Sequence, residues 1–200
     1  MAKIKLTKNE LKKQKDALKM YRRYLPTLML KKQQLQAEIR LTEIRIKELL
    51  EEKERIDESF KSWIAVYGET GIFTPDIVRI TAVKTTQGNI AGVSIPLFEG
   101  AEFAVAPYNL LTVPLWLDTA VDRMQRVLLL DLEVQIVEEQ RKRLDHELRV
   151  TTQRVNLFEK IKIPETRENI KKIQVYLGDQ QTAAVVRGKI AKRGMERVAQ

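Results

Sequence analysis

The stretch LKKQKDALKMYRRYLPTLMLKKQQLQAEIRLTEIRIKELLEEKERIDESFKSWIAVY, Leu11 to Tyr67, decides the fold because one set of positions in it repeats by alternating threes and fours. The set is Leu11, Gln14, Leu18, Tyr21, Leu25, Leu28, Lys32, Leu35, Ile39, Thr42, Ile46, Leu49, Lys53, Ile56, Phe60, Trp63 and Tyr67. Thirteen of these seventeen are apolar, and the residues between them are mostly Lys, Arg, Glu and Gln. A mean period of 3.5 predicts a long helix whose narrow stripe winds with a partner helix into a left-handed supercoil. Such a helix spans about 85 Å, so the sequence predicts an elongated molecule. The polar members Gln14, Lys32, Thr42 and Lys53 weaken the seam and either fix its register or meet a different neighbour.

Thr7 followed by Glu10 fits a capping box and starts the helix near Lys8. Pro26 falls inside the pattern and removes one backbone hydrogen bond, to Arg22, at about 3 kcal/mol. Because Leu25, Leu28 and Leu35 keep their spacing across it, a kink is expected there, not a stop. The signals change at Gly68, after which glycine and proline concentrate up to Pro114. Val78 to Thr85 alternates and is β-branched, Asn89 to Ile95 is a second short β-like run, and Thr86-Gln87-Gly88 between them reads as a turn. Pro96 to Pro114 reads as an irregular connection.

From Leu115 the helical period returns. Val127, Leu130, Val134, Val137, Arg141, Leu144, Leu148, Thr151, Val155, Phe158 and Lys162 form a second seam, with eight of eleven positions apolar. Two long helices joined by about fifty residues pair by folding back antiparallel. Pro164 is expected to kink or restart the second helix, and Ile170, Ile173, Leu177 and Ala184 to continue its stripe over the start of the first. Gly188 and Gly194 predict that the tail beyond Arg187 is frayed or partner-dependent.

The expected fold is therefore mainly α: a long antiparallel two-helix left-handed coiled coil from the N- and C-terminal segments, with a small β-hairpin and irregular connection in the middle. Its parts are an N-terminal coiled-coil helix over 8–67, a connecting region over 68–114 with the hairpin at about 78–95, a C-terminal helix over 115–187 kinked near Pro164, and a basic flexible tail over 188–200. A single two-helix seam is marginal by itself, because ordering entropy opposes burial on the same scale. Other subunits are expected to cover the faces beside it.

Charged residues are 32% of the chain and aromatics 6%, a composition that suits a solvated coiled coil. The absence of cysteine excludes disulfides and thiolate metal sites. Apolar runs are far short of a membrane span and the lysine-studded start lacks a signal-peptide core, so a soluble cytoplasmic protein is expected. The net charge of +9 is uneven. Residues 1–32 hold eleven Lys or Arg against two acids, residues 187–200 hold five against one, and the remainder is slightly acidic. With the helices folded back, the two basic ends form one positive tip.

Catalysis has little to work with. The one histidine, His146, lies between Asp145 and Glu147 on a helix, where adjacent side chains face different ways, so it reads as a solvated helix residue. Acids alternate with bases at helical spacing, as in Glu51-Glu52-Lys53-Glu54-Arg55, which reads as a solvent face. The glycines lack phosphate-loop spacing. No catalytic residue, metal ligand or cofactor is expected. The basic tip lacks the aromatic interleaving of a nucleic-acid reader, and the stripe is too narrow for a membrane face.

Several segments resemble a known family, the D subunit of V-type and archaeal-type rotary ATPases, and the likeness covers most of the chain. They are Leu6-Thr7-Lys8-Asn9-Glu10-Leu11, Leu28 to Leu35 with Lys31-Lys32-Gln33, Asn89-Ile90-Ala91-Gly92-Val93-Ser94-Ile95-Pro96, and Thr151-Thr152-Gln153-Arg154-Val155-Asn156 with Ile163-Pro164 following. Gly178-Asp179-Gln180-Gln181-Thr182-Ala183-Ala184 departs from the family's acidic and aromatic run. The resemblance implies a non-catalytic rotor axle. Its paired terminal helices enter the hexamer of A and B subunits, its lower part holds the F subunit and rests on the ring-capping stalk subunit, and it touches the membrane only through the complex. On that reading Lys12, Lys13, Lys15, Arg22, Arg23, Arg187, Lys189 and Lys192 face the hexamer, and Ile80, Val83, Ile90 and Val93 face F and the lower stalk. The gamma subunit of F-type ATPases carries a much larger insert than this fifty-residue middle. A non-catalytic coiled-coil scaffold or nucleic-acid-binding homodimer is the alternative from another class.

Overall fold

The computed structural model describes residues 4–61, 77–108, 114 and 116–198. In chain order these form helix α1 (Lys8–Lys61), strands β1 (Val78–Ile90) and β2 (Val93–Val105), helix α2 (Trp116–Asn156), a π-helical turn (Leu157–Lys162) and helix α3 (Ile163–Val198). The chain divides into two units, Met1–Lys32 with Val150–Gln200, and Gln33–Arg149. Each is taken separately below.

Helix α1 begins where half of the capping box puts it. The Thr7 hydroxyl accepts the Glu10 amide at 3.3 Å, while the Glu10 carboxylate turns forward to accept Gln14 Nε2 at 2.9 Å. Along α1 the positions withdrawn from water match the three-four set: Leu35 and Leu49 are fully buried, Ile39 and Thr42 nearly so, and Leu11, Leu18, Tyr21, Leu25, Leu28, Ile46, Lys53 and Ile56 half-buried. Trp63 and Tyr67, the expected end of the seam, lie outside the described residues. The second seam is likewise withdrawn, with Leu130, Val137, Leu144, Thr151 and Val155 buried.

In the larger unit α1 and α2 run in opposite directions. Leu49 packs with Leu130 and Val137, and Leu35 and Ile39 pack with Leu144, so low numbers on one helix meet high numbers on the other. The hairpin lies against this pair and is longer than expected. Its turn is Ala91-Gly92, not Thr86-Gln87-Gly88: Ala91 and Gly92 have φ of 51° and 78°, and the Asn89 carboxamide oxygen accepts the Gly92 amide at 3.0 Å. Two consecutive positive φ values give the turn handedness that matches strand twist, so the strands continue through Gly88 to a two-residue loop. Gly88 is used differently, since a Cβ there would come within 2.8 Å of Leu97 across the ladder. The segment after Pro96, expected to be irregular, forms most of β2, and bulges at Thr81 and near Gly100 absorb its imperfect alternation.

An isolated two-stranded hairpin is marginal in water. This one is fastened at both ends. At the base, Ile77 and Val78 pack with Leu117 and Val121, and the Tyr108 hydroxyl donates to Asp118 at 2.6 Å. At the tip, Ile95 is fully buried with Leu35, Ile39 and Leu144, flanked by Ile90, Ala91 and Val93. Gln140 Nε2 and Arg143 Nη1 donate to the Pro96 and Ser94 carbonyls at 2.5 and 3.4 Å. The lengths agree: a thirteen-residue strand spans about 40 Å, and the helix from Val121 to Leu144 about 35 Å.

In the smaller unit, Tyr21 meets Phe158 with ring centroids 5.1 Å apart and planes tilted by 48°. Helical structure runs through the Pro164 region, where the sequence predicted a kink or restart. The chain widens into the π-turn just before the proline, with the Ile163 amide donating to the Phe158 carbonyl five residues back. The extra residue moves the stripe by one position, so Ile163 is buried where the uninterrupted pattern placed Lys162, and Thr166, Asn169 and Ile173 follow it. Helix α3 then continues through Gly178 and on through Gly188 and Gly194, in the tail that the sequence predicted to be frayed or partner-dependent.

Leu35→Ala, Ile95→Ala or Leu144→Ala is expected to cost about 2–5 kcal/mol in denaturant unfolding, because each side chain has no exposed surface. Ala91→Gly, by contrast, is expected to stabilise the tip by up to about 1 kcal/mol, since a Cβ is disfavoured at φ 51°.

Candidate interaction surfaces

The residues that carry charge and hydrogen bonds fall into three groups: polar members of the seam, cross-helix ion pairs and outward-facing side chains. Among seam members, the Thr42 hydroxyl donates to the Glu38 carbonyl at 2.8 Å, a local bond that lets a polar residue occupy a buried position. Lys53 reaches across to Asp131 at 2.6 Å. That hydrogen bond raises the Lys53 ammonium pKa, partly offset by burial. Arg45 pairs with Glu133 at 2.7 Å and is raised by the same kind of bond, and Arg126 pairs with Glu52. These three α1–α2 pairs lie along one stretch of the seam, so their main effect is to set register, with little gain in stability. Arg141 is the weak point of the second seam, because its Nε is buried with no hydrogen-bond partner among the described residues.

The eight basic residues expected at one tip are all exposed, but they occupy two levels of the smaller unit. From the Tyr21–Phe158 contact, α1 continues only thirteen residues to Lys8, whereas the opposing helix continues forty residues to Val198. Lys12, Lys13 and Lys15 therefore lie beside the first turns of α3, and Arg22 and Arg23 beside the junction of α2 with the π-turn. Arg187, Lys189 and Lys192 lie roughly 30 Å farther along α3, where α1 has ended. The sequence places both groups together because it fixes which helices pair but not how far one outruns the other.

Beyond Leu177 every described side chain of α3 is exposed, including Val185 at 59%, Ile190 at 64% and Met195 at 71%. Of the four hairpin residues that the sequence singles out, Ile80 and Val83 face outward, while Ile90 and Val93 are turned against the chain's own helices at the tip. The structure adds an outward stripe on α1: Leu41 and Ile44 are more than half exposed on the side opposite the seam. With Ala37 they form a second three-four pattern, which becomes legible once the first has been subtracted.

His146 is exposed on α2 beside Val93, Glu139, Arg143 and Glu147, in a shallow open groove. Among the described residues no group of three or more His, Cys, Asp or Glu is placed to hold a metal ion, and no helix is long and apolar enough to cross a membrane. The arrangement offers contact surfaces and ion pairs.

Comparison with known proteins gives a consistent result. The family described as the D subunit of ATP synthase matches residues 10–193. The D subunit of the V-type ATP synthase of Borreliella burgdorferi is 51% identical over 197 residues, covering 98% of this chain and 96% of that one. Its counterparts in the V-type ATP synthases of Chlamydia pneumoniae and Chlamydia caviae are 34% and 33% identical, covering 96% of this chain and 93% and 94% of theirs.

A double-mutant cycle of Lys53→Ala and Asp131→Ala is expected to give a coupling of about 0.2–1 kcal/mol at pH 7. Because the folded-state pKa of Lys53 is raised, this coupling is fully present below about pH 10 and is lost as pH rises through the folded value. Urea titrations of the four proteins at pH 7 and above about pH 11 measure both effects.

Proposed function

The chain belongs to the family of ATP synthase D subunits, and from that membership we propose that it is the central rotor shaft of a V-type or archaeal-type ATPase or ATP synthase. It transmits torque between the catalytic A/B hexamer and the ion-translocating ring of the membrane sector. The shaft is a left-handed antiparallel coiled coil, and its asymmetric surface biases each A/B pair in turn between conformations while carrying no chemistry of its own. It is cytoplasmic and peripheral to the membrane.

The observation that carries this reading is the unequal length of the two helices beyond the Tyr21–Phe158 contact. A single helix with exposed Val185, Val186, Ile190 and Met195 among Arg187, Lys189 and Lys192 has no mate among the described residues of its own chain. It suits insertion into a surrounding partner that supplies apolar contact and carboxylates. On this reading residues 188–200 take the partner's surface as their packing, and Lys12, Lys13, Lys15, Arg22 and Arg23 face the lower part of the hexamer. Ile80 and Val83 are offered to F and the ring-capping stalk subunit, whereas Ile90 and Val93 act indirectly by holding the hairpin on its helices.

Co-purification with separately expressed A, B and F subunits is expected to give one copy of this chain per hexamer, to recruit F and to change ATP turnover. A chain ending at Leu177 is expected to keep F and to lose hexamer binding at least tenfold, about 1.4 kcal/mol or more. A stable homodimer that ignores A, B and F, or salt-sensitive duplex binding, overturns the proposal in favour of a scaffold.

A further inference from the structure

Both helices of the smaller unit are interrupted at the same level. In α1, Pro26 supplies no amide, so the Arg22 carbonyl loses the hydrogen bond it would receive in an unbroken helix. In the opposing helix, the π-turn occupies Leu157–Lys162 and Pro164 follows at once, so Lys160 also loses its ordinary donor. Antiparallel pairing through Tyr21 and Phe158 brings Arg22 level with Leu157, the first residue of the π-turn. A threonine within two residues of each proline donates back to a backbone carbonyl: Thr27 to Tyr24 at 2.8 Å and Thr166 to Lys162 at 2.5 Å. Such back-bonding bends helices.

The packing beside the π-turn is open. A cleft of about 860 Å³ borders the π-turn, lined by Leu6, Gln14, Ile161, Pro164, Asn169 and Ile173 among others. Leu157 and Ile161 are 40% and 54% exposed. Asn169 lines the same cleft and is itself almost fully buried. Close-packed side chains resist bending, and a void beside the π-turn and Pro164 lowers that resistance on their helix.

We propose that Pro26, the π-turn and Pro164 form one compliant joint, in which the two helices bend and twist together about the Tyr21–Phe158 contact. A single proline would bend one helix against a stiff neighbour. Interruptions at matched levels let both yield while the seam residues on either side stay paired. The π-turn is the adjustable part, because its one extra residue separates Phe158 from Ile163 by five positions where the seam elsewhere steps by three or four. The joint is a property of the chain itself and does not depend on the rotor reading.

Because the chain has no cysteine, spin labels attach only at introduced positions. Labels at Gln153→Cys and Gln174→Cys flank the π-turn about 32 Å apart, a separation suited to pulsed EPR. The labelled full chain is expected to give a broad distance distribution. A variant carrying Pro26→Ala, Pro164→Ala and deletion of Ile161 restores both ladders and brings Ile163 to a four-residue step from Phe158, and it is expected to narrow the distribution by about half. Hydrogen exchange of the unmodified chain provides a second reading that needs no variant. Amides of residues 22–25, 27 and 157–163 are expected to exchange roughly tenfold faster than those of 166–173. Equal protection in the two regions, or a wild-type distribution as narrow as the variant's, overturns the joint.

Discussion

The architecture depends on the need of one narrow apolar stripe to leave water. A helix with a 3.5-residue seam and charged flanks has no stable existence alone, because its buried face is a few side chains wide and its ordering cost runs its whole length. Only another stripe of the same pitch fits it. That requirement pairs α1 with α2, sets them antiparallel and leaves charged outer faces to solvent. The ion pairs Arg45–Glu133 and Lys53–Asp131 follow from it, since they form only when the seams are in register.

The hairpin is a dependent of the helix pair. Two strands without a third have one face and two edges open, and theirs are held by hydrophobic contacts at the base and tip instead of along their length. Ile80 and Val83 are left outward on the unsupported middle, which makes that stretch available to a partner. Ile90 and Val93 are not available in the same way, because Ile95 and its neighbours at the tip use the Leu35 and Leu144 surface.

The smaller unit shows the opposite relation between packing and exposure. Its helix pair ends on one side while α3 continues, so seam-phase residues such as Ala184 have no mate among the described residues. On the proposed shaft reading, such an end serves insertion into a ring of subunits, and the proposed joint gives a place along it where both helices yield together.

The sequence alone determined the helical stripes, their residues and their antiparallel pairing. Periodicity is a local record of which side chains need burial, and Leu35, Leu49, Leu130 and Leu144 are buried as their spacing requires. It also determined that a hairpin starts near Val78, and it carried the family's motifs. It misplaced the hairpin turn because Ala91 is an unusual residue at positive φ and Gly88 looks like a better one, a choice that depended on strand register and on Leu97 across the ladder. It expected a kink or restart at Pro164 but not the π-turn before it, because a π-turn adds a residue without changing composition. It gathered two basic clusters into one tip because the extent to which one helix outruns another is fixed by where the pairing stops. Those outcomes belong to the tertiary structure, since each is set by contact between residues far apart in the chain, which no local pattern encodes.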